Sequence, residues 1–85
     1  MEVINMTLED ILKHDEKFRY QLLGRMQSDC EYFLNCGGGT AIWGITVPEH
    51  IRYMKAIWKS FDKDKKPQWL GYRQIVAYER AMLAM

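Results

Sequence analysis

Three shortages narrow this 85-residue chain before any motif is read. No uninterrupted apolar run nears the roughly 20 residues of a membrane-spanning helix. The opening MEVINMTLED lacks the basic start and apolar stretch of a secretory signal, so a cytoplasmic protein with no membrane partner is expected. Cysteine is scarce as well: Cys30 and Cys36 could close at most one bridge, and reduced thiols are the rule in a cytosol. Neither a CxxC pair nor paired histidines are present, so neither a structural metal nor a cofactor is expected. Charge of one sign is also missing. Twelve Lys and Arg stand against 11 Asp and Glu, and the net charge of +1 provides no overall field to draw in nucleic acid. Any such binding must come from a local patch.

What is plentiful is apolar bulk. The hydrophobic fraction is 48%, with three Trp, five Tyr and three Phe. That suits one compact domain spanning residues 1–85, near the lower size at which a single core holds a chain without staples. Periodicity then predicts a mainly α fold of three to four helices. Thr7, followed by Glu9 and Asp10, is a hydroxyl cap with acids at the positive end of the dipole, opening a short helix over about Leu8–Lys13. From Asp15 or Glu16 a longer helix runs to about Asn35, because Phe18, Leu22, Met26, Cys30 and Phe33 recur at steps of three and four. The opposite face, with Lys17, Gln21, Gly24, Gln27, Ser28 and Glu31, fits solvent.

Gly37, Gly38 and Gly39 follow that helix, where a left-handed residue closes the last turn at little cost. A phosphate-binding loop instead precedes a helix and commonly carries a lysine. TAIWGIT mixes β-branched and aromatic residues, the pattern of a minor β-element near Ala41–Ile45 or of an extended connector. Thr46-Val-Pro-Glu49 is a capping box with proline in the first turn, opening a helix to about Phe61. Its apolar face is Val47, Ile51, Met54, Ile57, Trp58 and Phe61, and Arg52, Lys55 and Lys59 line another face as a basic stripe. DKDKKP is a charged turn, Trp69 and Leu70 are apolar plugs, and a last helix over about Tyr72–Leu83 turns Tyr72, Ile75, Val76, Met82 and Leu83 inward.

The runs QLLGRMQSDCEYFL, IRYMKAIWKSF, KPQWL and AYERAM resemble the large polyvalent protein-associated domain 11 family over about Tyr20–Met82. The most specific parts are RMxSDCxYFL, Arg25–Leu34, and KPxWL, Lys66–Leu70. The resemblance implies a protein of phages and conjugative elements inside a bacterial host cell, with no enzymatic role attached to the domain. Two departures are visible: CGGGTAIW lacks the polar residue expected among the glycines, and Gly71 stands where a Thr or Ser helix cap is expected.

Three ionisable residues fall within apolar faces: Asp29, His50 and Glu79. Convergence of the three would offer a base and its orienter. A buried polar network, with Arg25 one turn before Asp29, is the structural alternative and the expectation here. Cys30 lies on the stripe as a small core residue and Cys36 is the more exposed thiol, at the wrong end of a helix for a nucleophile. Trp43, Trp58 and Trp69 are expected in the core, one of them exposed being the mark of an interface.

No catalytic residue is therefore expected. Two functions remain. One is a small mobile-element protein that binds a protein partner and modulates or blocks it, as anti-CRISPR inhibitors do, with Trp43 and Tyr53 as candidate contacts. The other is a nucleic-acid accessory module gripping phosphates through Arg52, Lys55 and Lys59.

Overall fold

The computed structural model describes residues 7–36 and 46–84. Among them lie four α-helices and no strand: α1 (Leu8–Leu12), α2 (Glu16–Asn35), α3 (Val47–Lys59) and α4 (Tyr72–Leu83), with a 3₁₀ turn at Lys63–Lys65. The expected β-element near Ala41–Ile45, the glycines Gly37 to Gly39 and Trp43 lie outside the described residues.

Each helix starts where its capping chemistry places it. At α1, Thr7 Oγ1 accepts the Asp10 amide at 3.2 Å and the Asp10 carboxylate accepts the Thr7 amide at 3.4 Å, a reciprocal box. At α2, Asp15 accepts the Phe18 amide at 2.8 Å. At α3, Thr46 Oγ1 accepts from the Glu49 amide at 3.3 Å, with Pro48 in the first turn. The box expected there is half made, because the Glu49 carboxylate turns to Arg52 instead. Gly71 caps α4 without a side-chain hydrogen bond.

The core is formed where α2, α3 and α4 meet. Leu22, Leu23, Met26, Cys30 and Phe33 of α2 pack with Ile51, Met54 and Ile57 of α3 and Ile75, Tyr78 and Met82 of α4, closed by Ile11, Phe61 and Leu70. Burying each large aliphatic side chain stabilises by about 1.5–3 kcal/mol.

Two faces differ from the periodic expectation. Fully buried Leu23 widens the α2 stripe. The side of α2 assigned to solvent is also partly covered: Trp69 reaches over Gly24, where an added Cβ would lie 3.6 Å from its ring, and Gln27 and Glu31 bond Tyr78. On α4, Tyr78 points inward while Leu83, expected inside, is 55% exposed. The core of α4 follows Ile75, Tyr78 and Met82, steps of three and four that place Leu83 beyond the buried edge.

The junctions are held by long side chains. Arg19 of α2 donates to the Ser60 hydroxyl at 2.6 Å and its carbonyl at 3.3 Å beyond the end of α3, with its guanidinium 5.1 Å from the Phe61 ring centroid. Lys66 donates to the Phe61 carbonyl at 2.6 Å and the Trp58 carbonyl at 3.4 Å, a cation satisfying acceptors at the negative end of α3. The same ammonium sits 4.7 Å over the Trp58 ring, whose indole N–H donates to the Leu70 carbonyl at 2.9 Å. Pro67 and Leu70 are buried. KPxWL is thus a clasp that fastens the α3–α4 connection. Trp69 departs from its expected place in the core: it is 41% exposed, lying edge-on to Tyr20 with centroids 5.5 Å apart.

Candidate functional site

The basic stripe of α3 exists as a surface feature, but each of its cations has a partner inside the molecule. Arg52 Nε donates to Glu49 Oε1 at 2.9 Å and its terminal nitrogen to Oε2 at 3.3 Å, a forked pair one turn apart. The hydrogen bond from Arg52 holds the Glu49 carboxyl below its ordinary range and raises the guanidinium in return. Lys55 Nζ lies 3.0 Å from Glu79 Oε1, both side chains less than one-third exposed, so this pair ties α3 to α4. Lys59 sits 5.3 Å over the ring of Tyr72. Pro48, Arg52, Lys55, Ala56, Lys59 and Glu79 surround a shallow depression of about 350 Å³ with an acid on its wall. Tyr53 is half-buried against the core, with Arg52 5.4 Å from its ring centroid.

The trio of Asp29, His50 and Glu79 separates into two places. Glu79 belongs to Lys55 on the α3–α4 seam. His50 is fully buried, its Nε2 3.1 Å from the Met26 carbonyl, which fixes the proton on that nitrogen. Burial lowers its pKa from the ordinary 6.5, opposed by the Met26 carbonyl and the Asp29 charge. Asp29 is half-buried close enough for that charge to act. The His50–Met26 hydrogen bond and the Asp29 charge act between α2 and the first turn of α3.

Cys30 lies in the same layer, its sulfur 3.6 Å from that of Met54. Burial, reinforced by the neighbouring Asp29 and Glu31 charges, pushes its thiol up to about 12, so it remains protonated at neutral pH and behaves as an apolar side chain. Cys36 is exposed. Among the described residues no cluster of His, Cys, Asp and Glu has the arrangement of a metal site. Nor is any described helix long and apolar enough to cross a membrane.

Sequence reasoning missed one polar centre. The Tyr78 hydroxyl donates to Glu31 Oε2 at 2.8 Å and accepts from Gln27 Nε2 at 3.3 Å and Gln74 Nε2 at 3.4 Å, locking α4 to α2. Tyr78, three residues after Ile75 and four before Met82, was the available signal.

The outward face of α4 shows the opposite pattern from α3. Arg73 and Arg80 are exposed and make no ion pair among the described residues. They flank a shallow groove of about 660 Å³ completed by Tyr72, Val76, Ala77 and Ala81.

The residues of RMxSDCxYFL and KPxWL therefore divide between core, clasp and surface: Met26, Cys30, Phe33, Pro67 and Leu70 are buried, Lys66 caps α3, and Arg25, Tyr32 and Trp69 face outward. In comparisons with known proteins, no curated protein and no solved structure matches the chain. Residues 16–82, spanning α2 through nearly all of α4, match the large polyvalent protein-associated domain 11, and the chain belongs to that family.

Proposed function

We propose that this chain is a non-enzymatic phage or mobile-element protein that binds a protein and modulates or blocks it, an anti-defence inhibitor being one form of that role. The observation that carries this reading is the internal pairing of the α3 cations. Arg52 answers Glu49 and Lys55 answers Glu79, so two of the three cations in the stripe that would have gripped phosphates are compensated, and Lys59, lying on the neutral Tyr72 ring, keeps its charge. Strongly salt-dependent DNA binders neutralise about 6–10 phosphates. This chain has a net charge of +1 and a stripe of three engaged cations. A protein surface asks for less charge and more apolar area, and Leu83, Tyr32 and Trp69 are large apolar groups left in water.

The test is affinity capture from host lysate by the full chain, with and without nuclease. Retention of one protein in near-equal amount after nuclease treatment and at about 300 mM salt is the expected result. Retained material that consists of nucleic acid and is lost with nuclease would overturn the reading in favour of the accessory-module alternative.

A further inference from the structure

The outward face of α4 is the most distinctive surface the described residues present. We infer that it docks an acidic amphipathic helix of the protein partner, carboxylates seven residues apart meeting Arg73 and Arg80. The inference rests on the protein-binding reading above and names the chemistry of the partner.

Three observations on α4 converge. Its buried side is Ile75, Tyr78 and Met82, which leaves Arg73 and Arg80 near the centre of the opposite side. Two turns of helix separate them, about 10.5 Å along the axis at 1.5 Å per residue. The groove between and beside them is apolar and shallow, with Ala77 and Ala81 low on one flank, Val76 on the other and exposed Leu83 beyond. Small side chains at such positions let a second helix approach to the 8–10 Å axial distance of packed helices. The charge is of one sign. Lys59, over Tyr72, adds to it, and the only acid of α4, Glu79, is turned to Lys55 on the α3 seam.

That charge pattern selects the occupant. A second copy pairing through the same face would bring Arg73 and Arg80 against their own counterparts, in either helix direction, with no acid on the face to separate them. An extended phosphate backbone would use the two guanidinium groups but leave the apolar floor wet. An amphipathic helix with apolar residues between two Glu or Asp spaced seven apart satisfies both, each carboxylate accepting a forked pair from one arginine.

The test uses a synthetic helical peptide with two glutamates seven apart on an Ala/Leu face, and a twin carrying lysines there. Each is titrated into the isotope-labelled full chain at about 50 mM salt and followed by NMR. The acidic peptide is expected to shift the amides of residues 72–84, leave α1 unmoved, and bind at least tenfold more weakly to the Arg73→Glu, Arg80→Glu variant. The lysine twin is expected to prefer that variant. Both substituted positions are exposed, and an unchanged melting temperature confirms the fold. Equal binding to wild type and variant, shifts centred on another helix, or no shift of α4 at about 1 mM peptide would each overturn the inference. Capture of the same lysate protein by wild type and variant alike would remove this face and leave the protein-binding reading standing. Nuclease-sensitive capture by the wild type would remove both.

Discussion

Helices α3 and α4 each present basic side chains on the surface, yet they use them in different ways. On α3 the ionisable residues are engaged on both sides: His50 inward with the Met26 carbonyl, and Arg52, Lys55 and Lys59 outward with Glu49, Glu79 and Tyr72. On α4, Arg73 and Arg80 stand in water beside an apolar groove. A stripe of cations along a helix is therefore no measure of available charge. What counts is whether acids on the same or the neighbouring helix have already answered it. On α3, Lys55 ties the helix to its neighbour and Arg52 is matched by an acid of its own helix, whereas the arginines of α4 are left for something else.

The sharpest way to break this contrast is to remove a cation from the side where cations are structural. Lys66 caps the C-terminal end of α3 through the Phe61 and Trp58 carbonyls, so Lys66→Ala is expected to cost about 2–3 kcal/mol, read from chemical denaturation. A loss under about 0.5 kcal/mol would show that the clasp is decorative. A smaller effect is expected at the seam. Glu79→Gln keeps the shape and leaves Lys55 half-buried without its counter-charge, at a cost of about 1 kcal/mol that is screened only partly by salt.

The inward side of α3 adds a pH signature. Because burial lowers the His50 pKa, the unfolded chain binds the proton more readily than the folded one below the ordinary value of 6.5. Its contribution to stability is complete above that value and is lost as pH falls through and below it. Melting curves from pH 8 to pH 5 should show this step in the wild type, and His50→Gln, though less stable at neutral pH, should lack it. The smallest effect belongs to α4: Arg73→Ala with Arg80→Ala should alter stability by less than about 0.5 kcal/mol, since neither side chain has a partner to lose among the described residues. A larger loss would place these arginines among the structural cations and erase the contrast.

Much of the fold was legible because it is local. The caps at Thr7, Asp15 and Thr46, the proline after the charged turn, and the three-and-four spacing in α2 and α3 set helix limits that the structure reproduces within one or two residues. The assignments that failed depend on distant neighbours. Nothing near Glu79 in sequence marks Lys55 as its partner, 24 residues away, and nothing near Gly24 announces the Trp69 ring above it. Trp69 itself was expected inside on size alone, and its placement follows from Leu70, not Trp69, filling the core. The candidate site was legible as a stripe of Arg52, Lys55 and Lys59, but its engagement was not, because two of the three partners, Glu79 and Tyr72, lie on another helix.

The most direct measurement is a fluorescence-anisotropy titration of labelled duplex DNA with the full chain at about 50 mM salt, repeated with Lys55→Glu, Lys59→Glu. If the α3 cations are committed to the fold, wild-type binding is weaker than micromolar and its log-log salt slope stays below about 2, no more than two phosphates neutralised. Sub-micromolar binding with a steeper slope, lost on reversing Lys55 and Lys59 in a variant that remains folded, would contradict the account and make α3 a nucleic-acid grip.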